Sequence, residues 1–203
     1  SIVRQTVSDF EFIIVDDGST DGSSRMLEKW SRKESRIRLI ARENRGLTKS
    51  LNEAFAVARG EYVARMDADD VSRPDRFALQ LDYLAAHPEC VAVGSEVMQI
   101  DPEGWPLGLG RHPRTHAEIE DWILQANGGA LTHPTLMMRA EALRKVGGYR
   151  EKFTTAQDLD LYLRLAEIGQ LANLPEVLLQ WRQSRQSVNF TKSQTWAEMK
   201  RMA

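Results

Sequence analysis

A single α/β domain, built on a mostly parallel sheet flanked by helices, is predicted from three observations. Apolar, β-branched or aromatic runs recur at 11–16, 36–41 and 61–66, with starts 25 residues apart. That spacing leaves room for one crossover helix between consecutive strands. The first and third runs lead into aspartates, Asp16-Asp17 and Asp67-Ala68-Asp69-Asp70. In a parallel sheet such strand ends share one rim, where ligands bind.

Each element then follows from local signals. Met26, Leu27 and Trp30 mark the first helix, with Asp21 or Ser23 as N-cap. Leu47, Leu51, Ala54, Phe55 and Ala58 form a helical stripe, and Gly60 is its expected stop. After Asp70, Pro74 suits a helix start, and Phe77, Leu81 and Leu84 continue it to His87-Pro88. Val91 to Ile100 reads as a strand, and 101–113, rich in Gly and Pro, as a long surface loop. Ala117 to Gln125 reads as a helix, Thr135 to Arg139 as a short strand and Ala140 to Val146 as a short helix. Gln157 to Ile168 is a strong helix stopped by Gly169. Leu171–Leu174 and Val177–Arg182 read as a strand pair, followed by a polar tail with a terminal helix.

Composition bounds the function classes. The 203 residues are 42% hydrophobic and 28% charged, with a net charge of -2, so no global charge argues for nucleic acid. Locally, Arg25 to Lys49 carries nine Lys/Arg against three Glu. Such a run is either a solvated face or a surface for anionic lipid or a phosphorylated substrate. One cysteine, Cys90, excludes an internal disulfide and any Cys-based metal site, which fits a reducing cytoplasm. No run reaches membrane-span length and no signal-peptide pattern opens the chain.

The chemistry concentrates in the acidic clusters. Crowded carboxylates repel one another unless a cation holds them, which points to a divalent metal and a phosphorylated ligand. In Asp67-Ala68-Asp69 the two carboxylates can turn to one side, the arrangement that Mg²⁺ or Mn²⁺ accepts beside water and phosphate oxygens. In Asp16-Asp17-Gly18-Ser19-Thr20-Asp21 the glycine permits a turn and the later residues cap the next helix; two carboxylates at a buried strand's mouth are left over. Asn44-Arg45-Gly46, on the same rim, is either a plain turn or a ligand contact. Asp158 opens a helix, where it serves as an N-terminal charge or as a general base. Asp160 lies about 200° around that helix, so only one of the two can face the rim.

The order Asp-Asp-Gly-Ser-Thr-Asp, Asn-x-Gly, Ala-Arg-Gly-Glu-Tyr, Asp-Ala-Asp-Asp and Gln-Asp-x-Asp-Leu-x-Leu-Arg, from about Thr6 to Asn189, resembles family 2 glycosyltransferases of the GT-A, Rossmann-like fold. The resemblance implies one domain over 1–190, a helical tail over 191–203 and an inverting reaction from a nucleotide-diphosphate sugar. Asp16, Asp17, Ser19, Asn44, Gly46 and Asp67 would bind the nucleotide sugar. Asp67 and Asp69 would hold Mg²⁺ or Mn²⁺, and Asp158 would be the catalytic base. His133 and Arg182 would contact acceptor or phosphate. Acceptors would be glycan or lipid-linked sugars of cell-surface polysaccharide synthesis, handled in the cytoplasm or at the membrane's inner face, with peripheral membrane association.

The chain also departs from the family pattern. A strand that normally lies in mid-sheet, touching the nucleotide, is expected to be missing ahead of Ser1. Gln157 stands where the family often has Glu, and Ser184 where it often has His. Two rival readings of the aspartates are a receiver-like signalling domain and an aspartate-nucleophile phosphatase. The first lacks its lysine on a late strand; the second has its motif too late in the sheet.

Overall fold

The computed structural model describes residues 1–184, so the expected 191–203 tail lies outside the described residues. Phe12–Asp17 (β1) and Ile37–Arg42 (β2) pair in parallel, joined by helix Ser23–Ser31 (α1). Leu47–Val57 (α2) then leads to Tyr62–Ala64 (β3), and the short Val71–Ser72 (β4) precedes Arg76–Ala86 (α3). This is the expected strand–helix alternation. It ends differently from expectation at α2, where Ala58 turns extended and closes the helix before Gly60.

The larger sheet is mixed rather than mostly parallel. Cys90–Ile100 (β5) is its spine: it pairs in parallel with Gln170–Arg182 (β8), and antiparallel with Pro106–Gly110 (β6) and Met137–Arg139 (β7). Strand β7 also pairs antiparallel with β3, and β8 with β4. Strand β6 replaces part of the expected 101–113 loop. Its Pro-Leu-Gly-Leu-Gly sequence hid it, because an exposed edge strand needs no apolar alternation.

The expected strand pair after residue 170 is one 13-residue strand, β8. Opposite β5, Ser95 pairs with Leu174 and Glu96 with Val177, so Pro175 and Glu176 bulge out of the ladder. A bulge is where a central strand can tolerate a proline that has no N–H to donate. Helices His116–Leu124 (α4), Ala140–Lys145 (α5) and Gln157–Ala166 (α6) complete the fold. Helix α4 is fixed by a reciprocal cap between Thr115 and Glu118.

Two apolar cores flank the β5–β8 spine. One joins Ile119, Ile123, Leu143, Leu159, Tyr162 and Leu165 from α4, α5 and α6. The other joins Phe77 and Leu84 of α3 with Val93, Met137 and Leu178. Cys90 is buried beside them, and burial pushes its thiol up to about 11, so it is a packed, unreactive sulfur.

Among the described residues no ladder joins the β1–β2 sheet to the larger one. A cavity of about 970 Å³ lies between, lined by Phe12, Ile13, Phe55, Tyr62, Ala64 and Met137 among others. The Phe12 amide donates to Arg36 in the β2 direction, so the Ile13 amide points the other way. The Arg65 amide donates to Leu136, towards β7, so the Ala64 amide points away from β7. The strand starts stay side by side because Glu11, just before β1, accepts from the Arg59 amide at 2.6 Å.

Candidate active site

The rim at the strand ends is organised by hydrogen bonds to its carboxylates. Asp16 is buried; its Oδ1 accepts from the Ser19 amide at 3.0 Å and its Oδ2 from the Ser24 hydroxyl. Those donors, Ser19 first, hold it below the usual carboxylate range. Asp16 and Ser19 therefore shape the turn into α1, and Asp16 has little surface left to offer a ligand.

Asp17 ties the first two strand–helix turns together. Its oxygens accept from the Arg45 amide at 2.8 Å, the Gly46 amide at 2.9 Å and the Arg42 guanidinium. Burial alone would raise its pKa; these three donors outweigh that and keep it ionised. The Asn44 side chain donates to the Asp17 carbonyl at 2.9 Å. Gly18, at φ +83, brings its Cα so near Asn44 that an added Cβ would lie 2.8 Å from the Asn44 nitrogen. The two turns can close only with glycine there.

From Gly46 the connection runs on through α2. Thr48 donates to the Phe153 carbonyl at 2.7 Å, and Asn52 exchanges two hydrogen bonds with the Tyr149 backbone, at 2.7 and 2.9 Å. The Tyr149 hydroxyl is 2.8 Å from His133 Nε2. This network fixes the loop that enters α6, where Asp158 stands.

At the second acidic cluster, Arg65 grips Asp67 with both terminal nitrogens, Nη1 reaching Oδ2 at 2.7 Å. Asp69 is exposed, and its carboxylate makes no hydrogen bond or ion pair among the described residues. Asp70 is buried: Oδ1 accepts from the Arg182 amide at 2.8 Å, while Oδ2 has no partner. Burial pushes Asp70 up to about 7. Arg182 also donates from Nε to the Asp69 carbonyl at 2.8 Å and from Nη1 to the Asp101 and Pro102 carbonyls at 2.9 and 2.7 Å.

No group of three or more His, Cys, Asp or Glu side chains forms a preset metal cage among the described residues. The donor set nevertheless fits a hard divalent cation. Such ions accept one or two carboxylates and complete their shell with water and phosphate oxygens, and Asp69 and the orphaned Asp70 oxygen supply unfilled oxygen donors here.

Asp158 and Asp160 separate as their helical spacing requires. Asp160 is buried in a salt-bridge pair, to Arg164 at 2.6 Å and Arg150 at 3.1 Å. Asp158 is half-buried and accepts from the Leu159 amide at 2.9 Å. The Tyr149 and Tyr162 hydroxyls both feel the negative charges of Asp158 and Asp67 and the positive charge of Arg65. The charges of Asp67 and Asp158, 91 positions apart in the chain, thus both act on this buried tyrosine pair.

His133 sits inside that cluster rather than at an open wall. It is buried, it contacts the Tyr149 and Tyr162 rings, and burial holds its pKa well below the usual histidine value. Arg182 likewise spends its guanidinium on backbone carbonyls. Sequence reasoning missed Arg65, Asp70, Arg76 and Tyr149. Arg65 carried a readable signal, a charge closing an apolar run two residues before Asp67. Arg76 is fully buried, donating to the Pro134 and Arg65 carbonyls at 2.8 and 3.2 Å, and burial pulls it down to about 10.

Comparison with known proteins identifies the family. The glycosyl transferase family 2 model matches residues 1–147. The putative glycosyltransferase EpsE of Bacillus subtilis is 36% identical over 90% of this chain and 66% of its own length. The amylovoran biosynthesis glycosyltransferase AmsE of Erwinia amylovora is 30% identical over 98% of this chain and 74% of its own. The chain spans about two-thirds or less of several curated relatives, a quarter in the case of the chondroitin synthase of Escherichia coli. The fold matches S. aureus TarS 1-349 in complex with UDP-GlcNAc, at TM-score 0.74, 18% identity and 92% coverage of this chain and 54% of that one. It also matches mannosyltransferase PcManGT from Pyrobaculum calidifontis, in complex with GDP-Man and Mn²⁺, at TM-score 0.66, 20% identity, and 93% and 52% coverage. With most of its length under the family model and its strands in the same GT-A arrangement, the chain belongs to glycosyl transferase family 2.

Proposed function

We propose that this chain is the donor-binding and catalytic domain of an inverting, metal-dependent glycosyltransferase acting in polysaccharide or lipid-linked glycan synthesis. What supports the reading is the place of Asp158 one turn before Tyr162 on α6, with the charges of both Asp67 and Asp158 acting on the buried Tyr149–Tyr162 pair. A cation-binding carboxylate and a candidate base would then share one cleft.

In this reading Asp17, Asn44 and Gly46 form the floor for the nucleotide, on a turn already locked by hydrogen bonds. Asp67 and Asp69 hold Mg²⁺ or Mn²⁺. When bound, the cation would neutralise charge building on the departing diphosphate. Arg65 holds Asp67 in position through two hydrogen bonds. Asp158 accepts the proton of the acceptor hydroxyl as its oxygen attacks the anomeric carbon from the face opposite the leaving group. One displacement of this kind inverts the anomeric centre. His133 and Arg182 support the cleft from behind, as positioning residues. The chain acts at the cytoplasmic face of a membrane, in peripheral association with it.

Calorimetric titration with nucleotide sugars and Mn²⁺, joined to a transfer assay with anomer-resolved NMR, tests the reading. Asp69→Asn is expected to abolish metal-dependent donor binding with the fold intact. Asp158→Asn is expected to keep donor binding and lose transfer by about 10²–10⁴-fold. Product of retained configuration, or full turnover in either variant, would overturn it.

A further inference from the structure

We propose that the solvent face of α1 docks on an anionic lipid bilayer. Helix α1 has no buried residue, although its nine residues connect β1 to β2. Arg25 and Lys29 stand one turn apart, and Arg32 and Lys33 prolong the same face at the helix end. All four are exposed, and none forms a salt bridge among the described residues. With Glu28 they line a shallow surface depression of about 310 Å³.

The neighbouring strip of the helix is apolar and equally open. Met26 and Trp30, also one turn apart, are 56% and 48% exposed. A solvated face has no use for a tryptophan and a methionine in water beside four unpaired cations. A bilayer surface does: the cations meet lipid phosphates, and the aromatic ring enters the headgroup layer. The whole chain carries a net charge of -2, so this positive face is a local feature and not a reflection of overall composition.

The same helix touches the candidate site. Its first turn supplies Ser24, whose hydroxyl donates to Asp16. A docked α1 therefore holds the donor-side turn within one helix length of the lipid surface, where a membrane-borne acceptor would lie. The inference names the surface behind the peripheral association proposed above, and it requires no particular transfer chemistry.

Co-sedimentation of the full chain with vesicles tests it. Binding is expected on phosphatidylcholine–phosphatidylglycerol vesicles, absent on pure phosphatidylcholine, and weakened by rising salt. Each basic charge near an anionic surface contributes about fivefold, so Lys29→Glu with Lys33→Glu is expected to weaken binding at least tenfold. Trp30→Ala is expected to weaken it severalfold without changing the far-ultraviolet circular dichroism. No binding to anionic vesicles, equal binding to neutral ones, or unchanged binding by the double variant would overturn the proposal. So would tight binding to heparin without binding to vesicles, which would make the partner a soluble polyanion. Thermal-shift titration with nucleotide sugars and Mn²⁺ separates the two readings. Vesicle binding without donor binding would remove the glycosyl-transfer reading and leave this one standing; the reverse would remove only this one.

Discussion

Arg182 donates its Nε to the Asp69 carbonyl at 2.8 Å, reaching from the last residue of the longest strand to the candidate metal loop. Its amide holds Asp70 and its Nη1 holds the 101–102 turn, so one side chain clamps two loops. Arg182→Ala removes three charge-assisted hydrogen bonds, one of them to the acidic loop, and is expected to loosen that loop and weaken donor binding roughly tenfold. Titration calorimetry with Mn²⁺ and nucleotide sugar checks this. Arg182→Lys is expected not to rescue, because a single ammonium cannot span the Asp69 and Asp101 carbonyls.

Asp70 should make the metal-free protein sensitive to pH near neutrality. Its folded pKa is raised to about 7, mainly by burial, against an ordinary value of 3.8. A carboxyl whose folded pKa is raised favours folding below its unfolded value, and that benefit is lost as pH rises through about 7. Urea unfolding from pH 5 to 8 is expected to show falling stability in the wild type. Asp70→Asn is expected to flatten that slope.

Asp17 has the opposite sign. Its folded pKa is lowered, so its contribution is present above the unfolded value and lost as pH falls through the folded one, below the usual carboxylate range. The acid limb of the stability curve is expected to shrink in Asp17→Asn. The variant is also expected to lower the melting temperature at neutral pH, because the Arg42 guanidinium and the Gly46 amide lose an ionised partner.

A leucine in the α3 core and one lining the large cavity should differ in cost. Leu84 is fully buried in the α3 core, whereas Leu51 is only partly buried and lines the cavity. Leu84→Ala is expected to cost about 3 kcal/mol and Leu51→Ala closer to 1 kcal/mol, since side chains at an existing void lose less contact when truncated. Denaturant titration of both variants gives the comparison directly.

What was readable in the sequence was what local periodicity encodes. The runs before Asp16 and Asp67 are strands, and the Leu47–Phe55 stripe is a helix, because alternation and the 3.6-residue period survive in short windows. Strand β6 was not readable, since its exposed edge carries no burial pattern. Continuity through Pro175 was not readable either, because it depends on a bulge opposite Ser95 and Glu96. Residue types pointed to Asp17, Asp69 and Asp158, but their partners are tertiary. Nothing near Asp17 in the chain announces Gly46, and nothing near Asp69 announces Arg182. The histidine expected at the acceptor wall, His133, is instead claimed by Tyr149, 16 positions later.

The gap between β1 and β3 has a consequence for how the molecule breathes. Amides of Ile13 and Ala64 face that space instead of a neighbouring strand, so deuterium should replace their protons far sooner than those of Val93 or Leu171 on the central spine. The domain has a seam there, stitched near its base by the contact between Glu11 and Arg59. Partial opening under heat or denaturant should start along that line, parting the Asp17 half of the rim from the Asp69 half before either core melts.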